Sequence, residues 1–178
     1  VTSGYSNVLI GYEAAEVIST GYENVVIGAN PSQANLQQST LIGFNAGKEG
    51  TAHNVVGIGY RAIGQGTLTT GANGTVAIGY TAGQDLTSGA ANTVIGYESG
   101  KALTTGGSNI SLGYQAHLAL VSGDNNVAIG VNAADAMAVG ESENIAIGTS
   151  ALGGRDEGTA GGDIDGNIAI GHAALVGG

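Results

Sequence analysis

Apolar residues recur along this chain in one short pattern, in which two branched aliphatic residues flank a third residue and are followed by glycine. The segment Asn126-Val127-Ala128-Ile129-Gly130 shows the pattern, which occurs ten times, with Thr as the first flanking residue in two of the copies. The glycine that ends each copy is termed the anchor glycine. Branched side chains at alternate positions point to the same side of a β-strand, so each copy predicts a short strand. The anchor glycines are Gly11, Gly28, Gly43, Gly59, Gly79, Gly96, Gly113, Gly130, Gly148 and Gly171.

The spacing of the anchor glycines indicates a repeat architecture. Successive anchors are 15 to 23 residues apart, and from Gly79 to Gly130 the spacing is 17 throughout. A unit of this size cannot enclose a core by itself, whereas stacked copies can. Glycine directly after a strand permits a sharp turn of the chain. The sequence therefore predicts an all-β protein: a parallel β-solenoid of about ten coils that forms a single repeat domain over residues 1–178.

Other positions of the repeat are nearly constant. The residue one before the anchor is Ile in nine copies and Leu112 in the tenth, and the residue three before it is Val, Ile or Thr. We expect these two columns to line the interior of the rod, with Ile95 as a representative core residue. Asparagine stands four before the anchor in seven copies, as at Asn109 and Asn126. Such a column predicts a ladder of side-chain amides along the rod.

The residue two before each anchor points to the opposite side of its strand. Nine of these ten residues are apolar or glycine, and only Ser111 is polar. Because a strand that is apolar on both faces is buried on both faces, this column predicts a partner. We expect a homotrimer around a threefold axis. An exposed apolar stripe and a crossing segment of the same chain remain as alternatives. The expected interface residues are Leu9, Val26, Leu41, Ala77, Val94, Ala128, Ala146 and Ala169.

Aromatic residues follow the anchor glycine directly in six copies. Tyr60, Tyr80, Tyr97 and Tyr114 do so in four consecutive copies and are the candidate binding residues. Aromatic rings are rigid and carry a polar tip, which suits stacking on sugars. The column is therefore consistent with a carbohydrate-binding module. The structural alternative is a stack of rings that only seals a corner of the coil.

Composition and charge exclude several functions. The net charge is −10, with four basic residues, which is unsuited to nucleic acid and is repelled by anionic membranes. No run of 18 apolar residues is present, so no transmembrane helix is expected. The chain has no cysteine, and its three histidines stand in different columns of the repeat. We find no nucleophile–base pair, and we expect no enzyme activity, no metal and no cofactor.

The repeats resemble those of the heads of trimeric autotransporter adhesins (YadA-like heads). The matching segments include Asn126–Gly130, Asn144–Gly148 and Asn167–Gly171, and the resemblance covers essentially the whole chain. It implies a left-handed parallel β-roll, packing of three rolls into a trimer, and contact with a host surface. The adhesin repeat is shorter and usually has its asparagine five residues before the glycine. The form Ile78-Gly79-Tyr80-Thr81-Ala82-Gly83 looks like the longer variant found in phage tail fibres.

These observations predict an extracellular structural or adhesive protein. We expect a segment of a trimeric fibre, of a phage tail or a bacterial surface, that mediates or presents attachment to a cell surface. A carbohydrate-binding module that uses the tyrosine column is the alternative.

Overall fold

The chain is a parallel β-solenoid in which each repeat contributes one strand to a single ten-stranded sheet. The computed structural model describes residues 4–14, 20–30, 36–47, 51–65, 68–154 and 164–176. Each strand in these ranges has three residues, and the only helical element in them is a 3₁₀ turn at Thr70–Ala72. The strands are β1 (Val8–Ile10), β2 (Val25–Ile27), β3 (Thr40–Ile42), β4 (Val56–Ile58), β5 (Val76–Ile78), β6 (Thr93–Ile95), β7 (Ile110–Leu112), β8 (Val127–Ile129), β9 (Ile145–Ile147) and β10 (Ile168–Ile170).

All neighbouring strands are parallel and pair in the register of the repeat. The pairing of β5 with β6 sets Ala77 against Val94 and Ile78 against Ile95. The backbone of Gly96 donates to the carbonyl of Ile78 at 2.8 Å, and equivalent bonds join the other coils. Each repeat position therefore forms a straight column along the rod. The predicted all-β parallel solenoid is confirmed, and the handedness of its winding stays a prediction.

Left-handed backbone conformations form the corners of each coil. The anchor glycines have φ between +124° and +141°, a backbone region that residues other than glycine rarely adopt. A turn follows, and in the fourth coil the N–H of Ala62 donates to the carbonyl of Gly59. A Cβ at Gly96 would overlap the carbonyl oxygen of Gly113 in the next coil. Glycine is thus required here by both φ and the close approach of the neighbouring coil.

The two faces of the strands are reversed relative to the sequence-based expectation. The column two before the anchor, expected at a trimer interface, points into the interior of the single chain. Six of its eight predicted interface residues have no exposed surface. Of the other two, Ala169 is only 3% exposed, and Leu9 is partly buried against the core. The expected core residue Ile95 lies on the outside, where it is only partly buried. The residues that belong to the interior and not to a trimer interface are Leu9, Val26, Leu41, Ala77, Val94, Ala128, Ala146 and Ala169.

The reversal has a steric cause, because the interior of each coil is narrow. The residue two before the anchor meets the residue four after it in the same coil, and in several coils one of the two is large and the other small. Leu41 faces Gly47, where an added Cβ would lie 2.8 Å from a Leu41 methyl carbon. In the next coil the order is inverted, since Gly57 faces Ile63 and leaves no room for a Cβ. A small residue in this column thus makes room for a partner within its own coil, not for a second chain.

The predicted asparagine ladder is confirmed, and it is interrupted over three coils. The Asn109 amide donates to the Asn92 side-chain oxygen at 3.2 Å and to the carbonyl of Gly123 at 2.8 Å. The Asn109 side-chain oxygen accepts in turn from the backbone and side chain of Asn126. Because these amides are buried and paired with backbone, the column has a structural role. Ser39, Val55 and Thr75 replace asparagine in the third to fifth coils.

Candidate functional site

The outward surface of the sheet is uncharged along its full length. We define the outer sheet face as the residues one and three before each anchor glycine, two from each of the ten strands. Eighteen of these twenty residues are Val, Ile or Leu, and the other two are Thr40 and Thr93. Side chains at alternate positions of a strand share a face, so the twenty form two adjacent apolar columns.

The outer sheet face is accessible to solvent in the single chain. Its members in β2 to β6 are partly buried by their neighbours along the columns. Exposure is larger towards the ends of the sheet, where Ile10 is 57% and Ile170 67% exposed. Contiguous apolar patches of this kind on soluble proteins usually mark an interaction site.

The tyrosine ladder, which consists of Tyr60, Tyr80, Tyr97 and Tyr114, lies beside this face. Each ring follows an anchor glycine and therefore occupies a turn next to the sheet. Ring centroids are 5.1, 5.0 and 5.3 Å apart, and the planes of neighbouring rings differ by 8° or 9°. Phe44 adds a fifth ring, 5.6 Å from Tyr60. The sequence-predicted binding residues are thus brought together in one continuous stack.

Stacking limits what the ladder can contact. Tyr60, Tyr80 and Tyr97 each have a ring on both sides, so their faces are covered and their edges and hydroxyls face solvent. The four tyrosines are still 38–47% exposed. Stacking on a sugar needs an uncovered ring face, and only the end rings, Phe44 and Tyr114, lack a second ring neighbour in the stack. The geometry therefore favours the structural role of the column.

A small polar cluster borders the ladder. Lys101 forms an ion pair with Glu98 at 2.9 Å, and the side chain of Gln115 donates to the same carboxylate at 2.8 Å. These two bonds lower the pKa of Glu98, with the bond from Gln115 as the larger cause. The nearby Glu98 charge raises the pKa of Tyr97, whose phenol therefore stays protonated at neutral pH. The Arg61 guanidinium lies 5.4 Å from the centroid of the Tyr60 ring.

A buried polar pair interrupts the apolar interior at the seventh strand. Ser111 Oγ lies 2.7 Å from Nδ1 of His117, and Nε2 of His117 is buried without a hydrogen-bond partner. Burial lowers the pKa of His117 to about 3, so the imidazole is neutral at physiological pH. The pair occupies the two complementary interior positions described above. It is closed off from solvent and fills the core with a neutral side chain.

Neither a metal site nor a membrane span is formed by the residues that the structure describes. No three acidic or histidine side chains in these ranges converge on one point. His53 is partly buried and His172 is exposed, and both are in coils distant in sequence from that of His117. Across the described ranges, no helix has the length and apolar character needed to cross a bilayer.

Sequence reasoning identified the ladders but missed the outer sheet face and the Ser111–His117 pair. The missed signal was the size complementarity that several coils show between the residues two before and four after the anchor, as in Leu41 with Gly47. The fold and these faces define the chain as a β-solenoid repeat protein. No protein-family model matches the chain, and neither do curated proteins or solved structures.

Proposed function

We propose that this chain is a structural segment of an extracellular fibre, assembled as a homotrimer through the outer sheet face, that mediates or presents attachment to a cell surface. The observation that carries the proposal is the uncharged apolar face of twenty residues on a ten-stranded sheet. A standard protein interface uses about 20–30 residues on each side, and in a trimer the twenty residues of this face are shared between two partner chains. The interface thus moves from the column first expected to the two columns on the opposite side of the strands.

The distribution of charge favours a second copy of the chain as the occupant of this face. Acidic residues such as Asp85, Asp124 and Glu143 are exposed on turns and absent from the outer sheet face. Contacts between copies through the acidic turns of a chain with a net charge of −10 would bring like charges together. Three sheet faces around an axis instead bury only aliphatic and threonine side chains, and the identical repeat of each copy keeps them in register along the rod.

Two neighbouring residues of β6 provide a direct test. We expect Ile95→Asp, on the outer sheet face, to give a folded monomer, because three carboxylates would meet near the axis. We expect Val94→Asp to unfold the chain, because it places a carboxylate in the interior of a single coil. Sedimentation equilibrium measures the mass, and circular dichroism measures the fold.

The control is Ala90→Asp, which adds the same charge at an exposed position outside the sheet. It should leave a trimer of unchanged stability. A wild-type protein that sediments as a monomer at high micromolar concentration would overturn the proposed assembly.

Attachment requires a separate experiment. Binding of the wild-type protein and the Ile95→Asp variant to immobilised whole cells compares trivalent and monovalent forms of the same surface. An attachment surface on the rod predicts weaker retention of the monomer, since three weak contacts act together only in the trimer. Equal absence of binding by both forms would leave the segment as a spacer that presents an attachment site elsewhere.

The alternative function, a carbohydrate-binding module, makes a different prediction. Because inner ring faces are covered, sugar stacking would depend on an end ring such as Tyr114 and much less on Tyr80. On a glycan array, Tyr114→Ala should then abolish binding that Tyr80→Phe retains. A wild-type protein that binds no glycan on the array would exclude this mode.

A further inference from the structure

Tyrosine is the most readily oxidised residue that this chain exposes. The sequence has no cysteine and no tryptophan, and its single methionine, Met137, is fully buried. Seven tyrosines are present, and four of them form the tyrosine ladder. A one-electron oxidant that reaches the surface therefore meets phenol side chains before any competing thiol, indole or thioether.

The ladder places these phenols at the distance of direct contact. The ring centroids of neighbouring tyrosines from Tyr60 to Tyr114 are 5.0–5.3 Å apart and the rings are nearly parallel, which is a stacked arrangement. The stack ends at Phe44 on one side and reaches Val131 in the next coil on the other, and neither residue is a phenol. An oxidised ring can thus exchange its unpaired electron only with other tyrosines of the same stack.

We propose that the tyrosine ladder is a site of oxidative cross-linking, at which a peroxidase-type oxidant joins tyrosines of adjacent coils into dityrosine within one chain. Two phenols each lose one electron and one proton, which gives two phenoxyl radicals. The radicals couple through a new carbon–carbon bond between the ring positions ortho to the oxygens. The hydrogen on each of these ortho carbons then moves to the oxygen of its own ring, which restores the phenol. Two hydrogen atoms are lost in total, and they reduce one hydrogen peroxide to two waters.

Such a bond would add a covalent link between coils that otherwise interact through noncovalent contacts, among them the hydrogen bonds between their strands. Tyr80 and Tyr97 are 17 residues apart in the chain, as are Tyr97 and Tyr114. In a solenoid each coil contacts only its neighbours, so opening can begin wherever one interface fails. A covalent link between adjacent coils removes this route of opening and reduces the entropy of the unfolded chain, as a disulfide does. The ladder tyrosines are 38–47% exposed in the single chain, so an oxidant in solution can reach them there.

The test treats the purified chain with a plant peroxidase and hydrogen peroxide at low micromolar protein. We expect dityrosine fluorescence, a monomer on a denaturing gel, and an intact mass lower by two hydrogens for each link. Peptide mapping should locate the links between adjacent members of the ladder. The yield should not depend on protein concentration, and the thermal midpoint of the product should rise.

Matched variants separate the ladder from other tyrosines. Tyr80→Phe/Tyr114→Phe keeps all the rings but leaves no two phenols adjacent, so we expect at least a tenfold loss of ladder links. Tyr12→Phe removes a more exposed phenol outside the ladder and should leave the yield unchanged. The second stacked pair, Tyr5 and Tyr22 at 5.2 Å, is distinguished by the peptide map. Covalent oligomers without links inside one chain, or an undiminished yield of ladder links in the double variant, would overturn the proposal.

Discussion

Acid should destabilise this protein through one buried histidine. His117 is enclosed in the interior, its Nδ1 is bonded to Ser111, and its Nε2 has no acceptor for a second proton. Burial lowers its pKa from 6.5 to about 3. The unfolded chain therefore binds a proton at higher pH than the folded chain. The stability contributed by the neutral ring is complete above pH 6.5 and is lost as the pH falls towards 3.

The size of the effect follows from the two pKa values. Each unit of difference corresponds to about 1.4 kcal/mol, so acidification from pH 7.5 to pH 4 should remove roughly 3 kcal/mol of unfolding free energy through this residue alone. Urea denaturation followed by circular dichroism, at a fixed protein concentration and at several pH values, measures the loss. Acidification also affects the acidic side chains of the chain. The contribution of His117 is therefore measured as the difference in stability loss between the wild type and a variant without this histidine.

The comparison protein can be taken from the repeat itself. Val94 and Gly100 occupy the same two interior positions one coil earlier, so Ser111→Val/His117→Gly transfers a pair already compatible with this fold. Glycine also suits the φ of +50° at position 117. We expect the double variant to lose about 3 kcal/mol less than the wild type between pH 7.5 and pH 4. Parallel pH profiles of the two proteins would refute the assignment of the titrating group.

Two further substitutions test the coil contacts by urea denaturation. Gly96→Ala should cost more than about 3 kcal/mol, because φ is +138° and the new Cβ overlaps the carbonyl of Gly113. Gly83→Ala is its control and should cost about 1 kcal/mol, since φ is +57° and the nearest atom is 3.6 Å away. Asn109→Ala should cost roughly 2–4 kcal/mol, because it leaves the backbone N–H of Asn126 and the carbonyl of Gly123 without their partners in the interior. A loss below 0.5 kcal/mol for Asn109→Ala would contradict a structural ladder.

Much of the fold could be predicted from the sequence because the repeat fixes the register. The strand positions, their parallel order and the two ladders follow from residues that recur at constant offsets from the anchor glycine. The direction of the strand faces could not be predicted from hydrophobicity, since both Val94 and Ile95 are apolar. Steric fit decides between them: the narrow interior accepts Val94 opposite Gly100, whereas Ile95 belongs to a column of uniformly large residues.

The oligomeric assembly and the ligand could not be predicted from the sequence for another reason. Both depend on contacts between molecules, whereas the repeat pattern records contacts between coils of one chain. The tyrosine column illustrates this limit, because its spacing predicted a stack but not that stacking would cover the faces of Tyr60, Tyr80 and Tyr97. The trimer and the attachment role therefore stay predictions, and the trimer interface is now assigned to the outer sheet face.

The size complementarity inside several coils has a consequence for how such a rod changes its length in evolution. Leu41 with Gly47, Gly57 with Ile63, and Val94 with Gly100 each pair a large residue with a small one within one repeat. A stretch of DNA that encodes one such repeat thus carries both members of the pair. Unequal recombination between repeats duplicates or deletes the two members together. Rods of different reach can arise in single genetic steps, whereas a lone larger residue at Gly47 or Gly57 meets a steric barrier.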